Sequence, residues 1–311
     1  MSSRGGHDAD EGRLLQLLYP LYLVGSLLAR ALPEKAAYAA ANALGALQAR
    51  LSRRKRAVVE RNLARVTGDA VGSRRLQRCV VAAYQSYARY WLETFRYARA
   101  TREFFLQRFV CYGAERLDAA VGGAKRPVVV VGHLGNWDAA GAWLAASGRP
   151  AVTVAEVVRP RRLFEFLQEH RARVGMTVYP AVTGVSARLV QAVNEGKLVA
   201  ILGDRDLAGR GIEVSFFGAR TTFPIGPAAI ALRAGVPIVV AGVYGTELPG
   251  GRRGWEAHIG EPIELPDERG GRAMAELTQE VAAQVEGFVS HRPEEWHVFQ
   301  PFWLDDRPPR S

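Results

Sequence analysis

The stretch Pro127 to Asp138, PVVVVGHLGNWD, limits what this chain can fold into more than any other. Four consecutive β-branched residues, Val128 to Val131, fit a pleated surface covered on both faces, as in an inner strand of a parallel sheet. The run stops at Gly132, and the Ala-rich segment Ala139 to Ala146 that follows is expected to be helical. In open α/β sheets, ligands bind beyond the carboxyl ends of the strands, and His133 falls at such an end.

His133 and Asp138 form the spacing HxxxxD. With 31 acidic residues in 311 and six histidines, one such pair arises by chance about as often as not, so the spacing alone says little. Context distinguishes it: His7, His170, His258, His291 and His297 lack the partner, and only His133 follows a buried-strand pattern. An imidazole there can take the proton of an attacking hydroxyl, with Asp138 expected to hold its other ring nitrogen. Gly135 would permit the turn this needs, because an unbroken helix sets positions five apart on different faces. Asn136 and the backbone amides at the following helix start are expected to stabilise an oxyanion. The chain has no GxSxG, GxxxxGK[ST], HExxH or strand-linked GxGxxG motif. Asp204 and Asp206 in DRD are too little for a metal site, and none is expected.

After residue 127 strand and helix patterns alternate. Strands are predicted at Val152–Ala155, Thr177–Tyr179, Leu198–Leu202 and Val236–Val243, with an edge strand at Trp255–Ile259. Helices are predicted at Arg161–Val174, Ser186–Asn194, Ala228–Ala234 and Ala273–His291. The pattern gives an α/β fold: a central, mostly parallel sheet flanked by helices. Glu156 and Asp204, Arg205 and Asp206 then follow strands at the same edge as His133 and should converge on one cleft. Glu213 in GIEV is a further candidate to support His133, with a solvated charge as the alternative.

The net charge of +10 is uneven: residues 1 to 110 hold 19 Lys and Arg against 8 Asp and Glu, and the remainder is nearly neutral. Leu14 to Ala29 is apolar but interrupted by Gln16 and Pro20, short of the roughly 20 residues a spanning helix needs. Ser52 to Val66 sets basic residues beside Val58, Val59, Leu63 and Val66. Together these suggest a helical part that meets an anionic membrane surface. No nucleic-acid-reading motif accompanies the charge. Tyr84, Tyr87, Trp91 and Phe95 recur at helical spacing, a pattern of core residues of which part could line a groove. The first dozen residues are polar and read as a disordered tail with no signal-peptide pattern. Cys79 and Cys111 form no disulfide framework, which fits a reducing compartment.

HLGNWD, with the later GDRDLAGRG and FPIGPAAIALRAGVPIV, resembles the bacterial lipid A late acyltransferases and, more closely, their actinobacterial relatives, the phosphatidylinositol mannoside acyltransferases. The resemblance runs from about Leu14 to Trp303. It implies a glycerolipid-acyltransferase-like fold comprising residues 13–110 (helical, basic, membrane-facing) and 111–303 (catalytic α/β core), between tails at 1–12 and 304–311. It also implies a peripheral enzyme at the cytoplasmic face of the plasma membrane that moves a palmitoyl chain from acyl-CoA to a mannose hydroxyl, with no cofactor. The partners expected are anionic lipid, acyl-CoA and a glycolipid acceptor, with no nucleic acid, and Arg171 is implied as a phosphate or carboxylate partner. Two alternatives stay open: acyl-carrier-protein-dependent transfer to a lipid A precursor or other glycolipid, and a non-catalytic membrane-binding protein.

Overall fold

In a computed structural model, residues 18–97, 99–118, 125–157, 161–206 and 209–307 are described. The chain opens with helices α1 (Leu18–Ala31), α2 (Glu34–Leu51), α3 (Arg53–Thr67), α4 (Arg74–Arg96) and α5 (Arg102–Arg108). Then follow β1 (Phe109–Tyr112), β2 (Val128–Val131), α6 (Trp137–Ala146), β3 (Ala151–Ala155), α7 (Arg161–Arg173), β4 (Thr177–Pro180), α8 (Val185–Asn194) and β5 (Leu198–Leu202). A hairpin of β6 (Ile212–Phe216) and β7 (Ala219–Phe223), α9 (Gly226–Ala234), β8 (Ile238–Leu248), β9 (Arg252–Ile259) and α10 (Gly271–His291) complete the core.

Seven strands form one sheet in the order β1-β9-β8-β2-β5-β3-β4, parallel except where β8 meets β9. The four valines of β2 are buried at its centre, flanked by β5 and β8. One core lies between the sheet and α8, α9 and α10, and includes Val128, Val130, Leu189, Ile230 and Val281. The second, on the opposite face under α6, includes Val129, Val131, Trp143, Ala241 and Ala257. The alternation of Val128 to Val131 between these two cores is the two-residue period of a strand covered on both sides.

The amino-terminal helices build their own small core from Ala49, Val59, Leu63, Leu76, Val80 and Tyr84. The α2 and α4 backbones approach closely at Gly45, where a Cβ would collide with the main chain of Tyr84 and Gln85. Ser73 starts α4 by accepting from Leu76 N–H, and Gly68 ends α3 in the left-handed conformation.

Most predicted strands and helices of the core are present within a few residues. The segment read as an edge strand is not at the edge: β9 pairs antiparallel with β8 and parallel with β1, which lies outside it. Glu213 belongs to the β6–β7 hairpin, turned at Phe217 and Gly218. The apolar stretch from Leu14 is helical where it is described, in α1, and the expected tail at 1–12 lies outside the described residues. Among the described residues, no helix is long and apolar enough to cross a membrane.

Candidate active site

The parallel register between β2 and β5 builds the site. Val131 is paired with Leu202, so two residues further along each strand His133 and Asp204 leave the sheet side by side. His133 Nδ1 lies 2.5 Å from Asp204 Oδ1, and the His133 backbone N–H donates to Asp204 Oδ2 at 2.9 Å. Trp296 Nε1–H donates to the same Oδ2 at 3.0 Å. Asp204 is completely buried. Burial would push its carboxyl pKa up, but the His133 ring, the two His133 hydrogen bonds and the Trp296 indole hold it below the ordinary carboxylate range. An ionised Asp204 thus fixes a proton on His133 Nδ1 and leaves Nε2 as the ring's acceptor. Among the described residues Nε2 has no hydrogen-bond partner, and His133 lines a large cavity.

Asp138, expected to orient His133, does something else. It occupies the first turn of α6 and accepts from Arg171 Nε at 2.7 Å, from Arg171 Nη2 at 3.3 Å and from Tyr90 Oη at 2.8 Å. The cause is local: α6 begins at Trp137, so Asp138 already follows helical geometry, on a face that meets α4 and α7. Gly135 does turn with positive φ, but there its bare Cα also lets the loop pack on Val243, whose carbonyl a Cβ would strike. The expectation of a His133–Asp138 pair is corrected to His133–Asp204, with Asp138 joining α4, α6 and α7.

Asn136 is likewise a structural residue. Its Oδ1 caps α6 by accepting from Ala139 N–H at 2.9 Å, and its Nδ2 donates to Glu93 Oε2 at 2.6 Å, so it is not free to meet an oxyanion. Glu93 also accepts from Tyr38 Oη and Trp255 Nε1, both at 2.8 Å, and burial raises its pKa. Glu93 was missed; its signal was one acid inside the aromatic helix YWLETF. Glu213 does not support His133, because it is exposed on the hairpin and pairs with Arg220. Asp206 accepts from the backbone N–H of Arg210 and Gly211, a loop-capping role, and so does not converge with Asp204 on a metal. Glu156, Arg205 and Asp206 do line the cavity with His133, as expected from their places after β3 and β5. Arg171 lines it too, paired with Asp138 rather than free. Arg159, which the sequence offers beside Arg171 as a possible phosphate or carboxylate partner, lies outside the described residues.

The segment Glu295–Val298 was also unanticipated. It lies antiparallel to the His133 loop: His297 N–H donates to His133 O at 2.7 Å, Gly135 N–H to Glu295 O at 2.9 Å, and Leu134 bridges Trp296. His297 is buried, with one ring nitrogen 3.0 Å from Ser86 Oγ. Burial, then the His133 and Arg89 charges, push its pKa down to about 3, so it is neutral at physiological pH.

The cavity holds about 680 Å³. One arm runs under α6 across the sheet face, between Val129, Val131, Trp143, Ala241, Ala257 and Phe109, and is almost wholly apolar. Of the aromatic stripe on α4, Tyr87, Tyr90 and Trp91 reach this cavity, whereas Tyr84 and Phe95 are buried in packing. Trp137 stands edge-on to His133, ring centres 5.3 Å apart, with its Nε1–H buried and unpartnered. A base held by a buried carboxylate, beside a long apolar slot, is equipped to deprotonate a hydroxyl next to an alkyl-chain ester.

Comparison with known proteins agrees with this chemistry. The family model for bacterial lipid A biosynthesis acyltransferases matches residues 11–305. A phosphatidylinositol mannoside acyltransferase of Mycobacterium tuberculosis (strain H37Rv) is 30% identical over 290 residues, 92% of this chain and 88% of the relative. The protein of the same name from Mycolicibacterium smegmatis is 30% identical over 288 residues, 92% of this chain and 91% of the relative.

Proposed function

The chain belongs to the bacterial lipid A biosynthesis acyltransferase family and is an acyltransferase, and on that premise we propose that it moves a palmitoyl chain from acyl-CoA to a mannose hydroxyl of a phosphatidylinositol mannoside. The reading is supported above all by the His133–Asp204 pair, whose free Nε2 opens on an apolar cavity. The identity of the acceptor leans on the names of the relatives.

In this reading the acyl chain lies in the arm under α6, with the thioester carbonyl beside His133. The acceptor hydroxyl hydrogen-bonds Nε2, which takes its proton as the oxygen attacks the carbonyl carbon. The carbon–sulfur bond then breaks, and the imidazolium returns its proton to the departing thiolate. Asp204 stabilises the imidazolium throughout, and general-base assistance of this kind contributes about 10² to 10⁴ in rate. The backbone amides of Trp137 and Asp138, in the first turn of α6, are the donors this reading assigns to the oxyanion. No covalent enzyme intermediate and no cofactor are needed.

The enzyme works as a peripheral protein at the cytoplasmic face of the plasma membrane. Exposed Leu27 and Leu28 of α1, Leu32 just after it, and Leu44, Leu47 and Leu51 of α2 accompany basic Arg53, Arg54 and Lys55, a combination suited to anionic lipid. The test is transfer of labelled palmitate from palmitoyl-CoA to purified phosphatidylinositol mannosides. Transfer only from acyl carrier protein, or only to glucosamine lipids, would replace the donor or the acceptor.

A further inference from the structure

Arg205 is a cation in the cavity without a counter-charge among the described residues. It follows Asp204 directly and lines the cavity, yet it makes no ion pair or side-chain hydrogen bond among the described residues, and its Nε is buried without a partner. The residue is only partly buried, so the rest of its planar fork can meet a ligand in the cavity, and that fork matches a phosphate. Asp206, the nearest acid in sequence, is occupied by the Arg210 and Gly211 amides. Glu156 stands exposed at the cavity wall with no bond to Arg205. The next two residues in the sequence after Asp206, Leu207 and Ala208, carry no charge.

The surroundings of Arg205 favour the same charge. The β3–β5 ladder is paired only at Ala151–Leu198 and Val152–Val199, so beyond these positions the strands separate and the cavity reaches the α8 and α9 face of the sheet. The first turns of both helices, at Val185 and Ser186 and at Gly226 and Pro227, line it there, and neither helix has a side-chain cap. Their uncapped starts add partial positive charge to the wall of the cavity that Arg205 also lines. Arg171, the phosphate candidate by resemblance, is committed to Asp138.

We infer that Arg205 holds the phosphate of the acceptor lipid and thereby sets which sugar hydroxyl reaches His133. The inference rests on the acyl-acceptor reading above. It concerns the acceptor rather than the donor because of position. The Cα of Arg205 lies about 3.8 Å from that of Asp204, the residue gripping His133. A phosphate bound there sits near the reacting hydroxyl, as in a phosphodiester one sugar unit away. The first phosphate of the donor lies beyond its long, two-amide pantetheine arm.

The test compares the native protein with Arg205→Gln, using palmitoyl-CoA and two acceptors: a phosphatidylinositol mannoside and octyl mannoside, which has no phosphate. The preference for the phosphate-bearing acceptor, as a ratio of kcat/KM, should fall about 10- to 100-fold, the worth of a charged hydrogen bond, with no change in KM for palmitoyl-CoA. A rise in KM for palmitoyl-CoA would assign Arg205 to the donor, and an unchanged ratio would leave it with neither; both overturn the inference. A calorimetric measurement separates this from the catalytic reading. Glycerophosphoinositol should bind the native protein and not Arg205→Gln, and equal binding, or none to either, overturns the phosphate site even if transfer succeeds. Absence of transfer to either mannoside with glycerophosphoinositol still bound would overturn the acyl-acceptor reading, and with it the inferred role in hydroxyl selection.

Discussion

Asp204→Asn separates the two acids that could serve His133. Asp204 is completely buried and accepts three hydrogen bonds, two from His133 and one from Trp296. An amide in its place keeps the shape but removes the charge facing the ring. Loss of a charge-assisted bond costs about 1.5 to 3 kcal/mol, or about 10- to 150-fold. The amide also lets the ring take the wrong tautomer and leaves the imidazolium without a counter-charge, which brings the expected fall in kcat to about 10² to 10⁴. KM for palmitoyl-CoA should hardly move, since the chain binds in the apolar arm. The assay is steady-state transfer of labelled palmitate, with folding followed by circular dichroism. If Asp204→Asn keeps kcat within about 10-fold of the native value while folded Asp138→Asn loses far more, the pairing described here is wrong.

Further outcomes follow from the same contacts. Asp138→Ala leaves Arg171 largely buried and unpaired, and should destabilise the fold by about 3 to 5 kcal/mol; thermal denaturation should show a smaller loss in Asp138→Ala combined with Arg171→Met. Trp296→Phe removes one donor to Asp204 and should lower kcat about 3- to 10-fold with the fold retained, read by the same transfer assay. Ala257 lies on β9, two strands from β2 and about 10 Å across the sheet. Ala257→Leu should fill the far end of the arm and lower kcat/KM for palmitoyl-CoA about 10- to 50-fold relative to a shorter acyl-CoA, at about 0.8 kcal/mol per methylene. His297 has its pKa depressed to about 3 in the fold, so the unfolded chain binds the extra proton between there and the ordinary histidine value. Stability from this group is complete above about pH 6.5 and is lost as pH falls toward 3. Melting temperatures of His297→Gln should fall less steeply than native over that window, and parallel curves would show that His297 does not carry the acid sensitivity.

Much of the core was legible because its strands are buried on both faces. VVVV and LVAIL are short apolar runs, bounded by Pro127 and Gly132 and by Lys197 and Gly203, and each formed the strand expected, at Val128–Val131 and Leu198–Leu202. β1 was not legible: FVCY is four residues long, with Val110 and Tyr112 exposed, and it pairs with a strand more than 140 residues later. The site was half legible, for a related reason. That His133 and Asp204 leave one sheet edge could be read from strand ends, but their contact depends on β5 being the neighbour of β2. Strand order is a long-range property, whereas HxxxxD spacing is local and pointed to Asp138. The WHV segment offered no period or spacing that would have placed it against the His133 loop.

The most direct test of the central claim is single-turnover transfer from labelled palmitoyl-CoA to phosphatidylinositol mannosides by the native protein and by His133→Ala. The account predicts that the variant folds and binds palmitoyl-CoA as the native protein does, yet forms no acylated product beyond background. Product formation at the native rate by a folded His133→Ala would show that this imidazole is not the base and contradict the account.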